Sequence, residues 1–240
     1  MRLFRGRDGT KGWPTSSNRA SSMHLWWDLE DHEPVVAAAV TLTIVEPPRW
    51  SDLCFWALQA SFASDSGAQG GAHLGLQWYA AHPGSTAVNF GGYASSGGEL
   101  RGSVSPLPSA PGNPNTRDFG WEPGRPYRLE IAAAGDGQWS GSVDGDEVRT
   151  LLCEGDRLTG FVVWTECFAR CDAMPSAVRW SEPEVTTATG RTIRPARYRA
   201  TYQSVADGGC ATGTAEPSPG GGVLQRTGVD GSTRPQTIEI

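Results

Sequence analysis

A chain of 240 residues can bury one large core, and its 31 glycines, 17 prolines and only 19% charged residues suit many short strands joined by turns rather than long helices. The formal net charge is −6 and no block of lysine or arginine exceeds a pair, which excludes a nucleic-acid footprint and an anionic membrane surface. No apolar run approaches the roughly 18 residues of a membrane span, and the opening MRLFRGRDGTKGWPTSS has basic residues with no apolar stretch behind them. The expectation is a soluble protein, cytoplasmic as written and secreted if the true start lies elsewhere.

In chain order, residues 1–22 read as a polar leader, 23–204 as the folded domain and 205–240 as a Gly- and Pro-rich arm packed on it. MHLWWDLED alternates and PVVAAAVTLTIVEPP is a long β-rich run closed by Pro47 and Pro48, so both predict strands. CFWALQASF and HLGLQWYA share a Leu-Gln pair, at Leu58-Gln59 and Leu76-Gln77, and predict neighbouring antiparallel strands linked by ASDSGAQGGA. TAVNFGGY follows across the turn HPGS, and then comes an irregular stretch from about 94 to 126, a length that points to a functional or a disordered loop. Beyond it YRLEIAAA, QWSGSV and EVRTLL form a meander around Asp136-Gly137 and Asp144-Gly145, dipeptides that tolerate the positive φ of hairpin turns. RLTGFVVWTECF, SAVRWSEPEVTT and ARYRATYQS predict three more strands, with GVLQRTGV and TIEI strand-like in the arm. The fold class is therefore all-β, an antiparallel β-sandwich of jelly-roll type, with helix below about a tenth.

Because side chains alternate between the faces of a strand, each run divides into two sets. Trp56, Leu58, Ala60 and Phe62 form an apolar set opposite Phe55, Ala57, Gln59 and Ser61; Leu74, Leu76 and Trp78 stand opposite His73, Gly75, Gln77 and Tyr79. The same division places Asn89 and Tyr93 together, sets Trp26, Asp28 and Glu30 against Leu25, Trp27 and Leu29, and sets Trp164 and Glu166 against Phe161, Val163 and Thr165. The candidate ligand-binding residues are Trp26, Gln59, His73, Gln77, Tyr79, Asn89, Tyr93, Trp164 and Glu166. Planar amides, carboxylates and rings on one face suit a glycan, whose CH-rich ring faces stack on aromatics while its hydroxyls pair with amides and carboxylates. The plainer account is core filling by the 10 tryptophans with a solvated polar face beyond them.

The Trp-rich strands, the paired LQ strands, NFGGY and the late FVVWTE and VRWSEPEV resemble a concanavalin-like jelly roll, the lectin and glucanase type of sandwich, over roughly residues 23–204 as pattern. That resemblance implies a glycan or glycan-like ligand on the concave sheet. The E-x-D-x-x-E strand of the laminarinase-like glucanases is broken here, since Glu154-Gly155-Asp156 is followed by Thr159 at the place of the last Glu, so no catalytic residue is carried over.

Other chemistry is thinly represented. The four histidines, at 24, 32, 73 and 82, show no HExxH or similar pair, DGDE at 144–147 lacks the remaining ligands of a calcium loop, and no GxSxG, Walker or Rossmann pattern occurs. No metal and no cofactor is implied. The five cysteines, Cys54, Cys153, Cys167, Cys171 and Cys210, form no paired CxxC units and read as structural or reduced thiols, with a bridge between Cys167 and Cys171 geometrically admissible across a turn. Three functions follow. The first is a lectin-like protein binding a glycan or other small polar ligand, and the second a glycan-active hydrolase or lyase with Glu166 as general acid and Asp28 or Glu30 as partner carboxylate. The third is a structural sandwich that presents its long loop to another protein.

Overall fold

The computed structural model describes residues 8–30, 33–108, 113–231 and 233–240; positions 1–7 of the expected leader and 109–112 of the expected loop lie outside the described residues. The strands are β1 (Ser21–Asp28), β2 (Val35–Glu46), β3 (Cys54–Ser64), β4 (Gly67–Trp78), β5 (Thr86–Ala94), β6 (Thr116–Asp118), β7 (Pro126–Gly135) and β8 (Gln138–Val143). They continue as β9 (Asp146–Leu152), β10 (Arg157–Cys167), β11 (Ser176–Thr187), β12 (Thr192–Ile193), β13 (Arg197–Tyr202), β14 (Gly213–Pro217), β15 (Val223–Thr227) and β16 (Gln236–Glu239). Among the described residues the one helical element is a 3-10 turn at Pro83–Ser85.

All pairings are antiparallel and fall into two layers. The front sheet runs β16-β13-β1-β10-β3-β4-β5-β6, and the back sheet runs β14-β15-β11-β2-β7-β8-β9 with β12 on the outer end of β11. Among the described residues one backbone strand pairing, Leu158 with Val35, links the two layers. The alternation of the sequence explains why the layers pack. Leu25, Trp56, Leu58, Phe62, Leu74, Leu76, Val88 and Phe90 of the front sheet and Val40, Leu42, Leu129, Ile131, Trp139, Val143 and Trp180 of the back sheet form one buried cluster. Phe62 meets Trp139 across the layers at 5.0 Å between ring centroids. Burial of each such side chain contributes about 1.5–3 kcal/mol against the entropy of ordering the chain. Gly141 lies under Phe90, where a Cβ would come within 2.5 Å of the ring, so the back sheet admits no side chain at that point.

Several expectations change. Most of ASDSGAQGGA is strand rather than linker, because β4 begins at Gly67 and the reversal is confined to Asp65 and Ser66. The stretch at 94–126 is tied down by β6 against β5 and by the bridges Tyr93–Glu99 and Gly102–Leu151. In the arm, β14 and β15 extend the back sheet from β11 while β16 extends the front sheet from β13, and β14 was not foreseen. Residues Gly9 to Thr15 of the leader hydrogen-bond to the 171–211 region, through Cys171 to Gly12, Thr15 to Gly208 and Ala211 to Gly9.

The cysteine pairing, left open by the sequence, differs from the bridge that a turn would admit. Cys54 is bonded to Cys167 and Cys171 to Cys210, leaving Cys153 as a buried free thiol. Cys54 and Cys167 face each other at the end of the β3–β10 ladder with Cα atoms 4.1 Å apart, a proximity that only strand order creates. The close sequence pair Cys167 and Cys171 separates because β10 ends at Cys167 and its cross-strand neighbour takes the bond.

Candidate functional site

Strand register places the candidate residues other than Tyr79 on the outer face of the front sheet, away from the core. One row across the strands reads Ser22 (β1), Glu166 (β10), Phe55 (β3), Gln77 (β4), Ala87 (β5) and Asp118 (β6). The next reads His24, Trp164, Ala57, Gly75, Asn89 and Thr116, and a third reads Trp26, Val162, Gln59, His73 and Gly91. Gln59 and Gln77 share this face because Gln77 pairs with Phe55, four residues from Gln59 on the same strand.

The middle of the face is apolar. Ala57 and Gly75 form a low floor, over which Phe55, His73 and Trp164 lean together, with ring centroids 4.9 Å apart for Phe55–Trp164, 5.7 Å for Phe55–His73 and 6.0 Å for His73–Trp164. Trp164 is only 9% exposed, and its indole N–H donates to Gln59 Oε1 at 3.2 Å. The expected open aromatic platform is thus largely consumed by ring-on-ring packing. Trp26 is also engaged: it donates to Thr201 Oγ1 at 3.1 Å, and the Arg199 guanidinium stands 5.6 Å over its ring. Tyr93, 58% exposed, remains open beside a shallow groove formed with Gln59, Ser61, Gly71 and His73. Tyr79 lies beyond the end of β4 and packs edge-on against His82, so it does not extend the sheet face.

Polar groups flank this apolar centre. Glu166 Oε1 accepts from Asn18 Nδ2 at 3.0 Å, and burial raises the carboxyl pKa above its ordinary value, opposed only by that hydrogen bond. No cation is ion-paired with Glu166 among the described residues. Gln77 is 6% exposed, yet none of the described residues hydrogen-bonds to its side chain. Asn89 Nδ2 donates to Thr116 Oγ1 at 2.9 Å, whereas its Oδ1 is buried without a hydrogen-bond partner. Burial holds the His73 pKa down to about 4, against the opposing pull of the Glu99 charge.

The expected partnership of Glu166 with Asp28 is not what the sheet provides. Asp28 is six positions along β1 from Ser22, the partner of Glu166, which is about 20 Å at roughly 3.3 Å per residue, and it is ion-paired with Arg197. Glu30 lies past the end of the same strand. Residues the sequence did not flag come from distant segments: Asn18 from the leader, and Asn115, whose side chain covers Gly91 so closely that a Cβ there would come within 2.9 Å. Among the described residues no group of His, Cys, Asp and Glu could hold a metal ion. No helix among them is long and apolar enough to cross a membrane.

No protein-family model matches the chain, and no curated protein sequence matches it. Its coordinates resemble scytalido-glutamic peptidase with a peptide-based transition-state analogue, at TM-score 0.47 and 10% identity over 91% of this chain and 99% of the other. They also resemble SCP-B, a member of the Eqolisin family of peptidases, in complex with a tripeptide, at TM-score 0.45 and 10% identity over 91% and 99%. A carbohydrate-binding module from Bacillus subtilis follows at TM-score 0.36 and 14% identity, covering 70% of this chain and 94% of the module.

Proposed function

We propose that the outer face of the front sheet is the working surface and that Glu166 and Gln77 form a hydrolytic pair acting on an acyl bond. The observation that carries this reading is the placing of two groups in one row: a desolvated carboxyl with no cation ion-paired to it, and an amide side chain to which no described residue hydrogen-bonds. Across Phe55 their backbones are two strand spacings apart, about 9–10 Å, so side chains reaching inward leave room for a water and a carbonyl group.

In this mechanism the Glu166 carboxylate takes a proton from water as the water oxygen bonds to the carbonyl carbon. The carbonyl π pair moves to oxygen, and Gln77 Nε2–H donates to the resulting oxyanion. Collapse of the tetrahedral intermediate breaks the bond to the leaving group, which receives the proton from Glu166 and restores the carboxylate. An amide donor serves an oxyanion; it has no counterpart in the oxocarbenium-like transition state of glycoside cleavage, which uses two carboxyl groups about 5–10 Å apart. The amide of Gln77 in the Glu166 row therefore supports acyl over glycosidic chemistry.

A second reading, glycan binding without catalysis, is favoured by the groove beside exposed Tyr93, where Gln59, Ser61 and His73 supply polar contacts. One experiment separates the two: the protein, Glu166→Gln and Gln77→Ala are assayed against a mixed peptide and ester library and on a glycan array. Cleavage lost in both variants supports the hydrolase; glycan binding retained in both, with no cleavage by the parent protein, supports the second reading. The two disulfides suit an oxidising compartment, which makes an extracellular setting part of the proposal.

A further inference from the structure

At the open side of the sandwich β6 ends the front sheet and β9 ends the back sheet, and the two edges are linked by Arg149 of β9, which hydrogen-bonds to Pro114 and Asn115 just before β6. Arg117 pairs with core residue Val88, and Arg149 pairs with Gly141, the position under Phe90, so register directs both arginines toward the interior of this mouth. Each is only 6% exposed. Neither forms an ion pair with a carboxylate among the described residues. Arg117 donates one hydrogen bond, to the Thr116 carbonyl at 2.8 Å, and Arg149 donates to the Pro114 carbonyl at 3.2 Å and to Asn115 Oδ1 at 2.5 Å. Both Nε atoms are buried with no partner. A guanidinium offers five N–H donors, so most of this capacity is unspent.

The charges are likewise unbalanced. Arg117 acts on Arg149 as a like charge, and the one acidic group that acts on Arg149 is Glu99, an exposed side chain that hydrogen-bonds to Asn115 instead. Two buried cations with unsatisfied donors are costly unless an anion lies between them, since an uncompensated buried charge costs several kcal/mol. Planar guanidinium forks match the oxygens of phosphate and sulfate in paired hydrogen bonds.

We propose that Arg117 and Arg149 form an oxyanion site at the β6–β9 mouth, taking a phosphate or sulfate group. The site is independent of the Glu166–Gln77 pair. Its occupancy bears on the outer face, because Asn115, which receives the Arg149 hydrogen bond, is the residue that covers Gly91.

The test is thermal unfolding of the full chain with inorganic phosphate, sulfate and glucose 6-phosphate, each against sodium chloride at equal ionic strength. The expected result is a saturable rise of several degrees with at least one oxyanion, absent in Arg149→Gln and Arg117→Gln and unchanged in Arg101→Gln, an exposed arginine nearby. Because the readout is the oxyanion-dependent rise, a lower starting stability of a variant does not obscure it. If either variant fails to fold, Arg149→Lys, which keeps the charge and loses the fork, is expected to lower oxyanion affinity at least tenfold in direct titration. Greater affinity for the inorganic ions than for glucose 6-phosphate marks a free anion, and the reverse marks an esterified group on a larger ligand. A rise no greater than that of chloride, or one that survives in both glutamine variants, overturns the proposal.

Discussion

The Cys54–Cys167 bond closes a loop with a sequence separation of 113, against 39 for Cys171–Cys210, and the chain-entropy relation turns these lengths into about 4.8 and 3.9 kcal/mol of stabilisation. Replacing Cys54 and Cys167 together by alanine is therefore expected to cost more than replacing Cys171 and Cys210, by about 0.9 kcal/mol from loop length alone. The position adds to this. Cys54 begins β3 and Cys167 ends β10, so the bond staples the open end of that ladder, and the next pair inward is Phe55 with Glu166. Both sulfurs belong to buried residues, so the double alanine variant also leaves a small cavity. The assay is urea unfolding followed by tryptophan fluorescence, with amide hydrogen exchange at Phe55 and Glu166 read on the same variant. The expected result is a loss of about 3–5 kcal/mol, a melting temperature lower by roughly 10–15 °C, and faster exchange at those two amides than at Phe62. A loss below about 1 kcal/mol, or a larger loss for the Cys171–Cys210 pair, would refute the reasoning.

Three further outcomes follow from the same face. Glu166 has its pKa raised in the folded state, so its contribution to stability is present below the unfolded value and is lost as pH rises through the folded one; the melting temperature of Glu166→Gln should gain on the parent between pH 4 and pH 8, and a constant difference would show the carboxyl to be unperturbed. His73 is shifted the other way, to about 4, so its contribution is present above the ordinary value of 6.5 and is lost as pH falls from there toward 4; in His73→Gln that acid limb should be missing from a pH titration of stability. Gly75→Ala would set a Cβ 1.9 Å from the Trp56 carbonyl oxygen and 2.6 Å from Ala57 Cα, forcing β3 and β4 apart, and equilibrium unfolding should report a loss of about 3 kcal/mol. An alanine variant within about 0.5 kcal/mol of the parent would mean that the ladder opens at little cost.

What could be read from the sequence is what depends on the period of a strand. The division of β3 into Trp56, Leu58, Ala60 and Phe62 against Phe55, Ala57, Gln59 and Ser61 needs no knowledge of any other strand, and burial follows it, with the first set wholly within the core. The same holds for Leu25 and Trp27 against His24 and Trp26. A site, however, is made of rows, and a row needs both period and strand order. That β1 lies between β10 and β13, and that β10 rather than β2 flanks β3, rests on contacts between segments roughly a hundred or more residues apart, for which no local pattern exists. Without that order Glu166 could be assigned a face but no neighbours, and Asp28, on the same face, could not be seen to lie far along its strand. The pairing of Cys54 with Cys167 was hidden for the same reason, as was the bond from Arg149 to Asn115 between two sheet edges. Exposure was misjudged on different grounds: large rings sharing a sheet face bury one another, so Phe55, His73 and Trp164 close over Ala57 and Gly75 where alternation alone implied open platforms. The polar groups at the rim of that apolar cluster, Gln77 and Asn89 Oδ1, are left with unfilled hydrogen-bonding capacity, and ligand chemistry on this face is therefore set by amides and one carboxyl rather than by stacking.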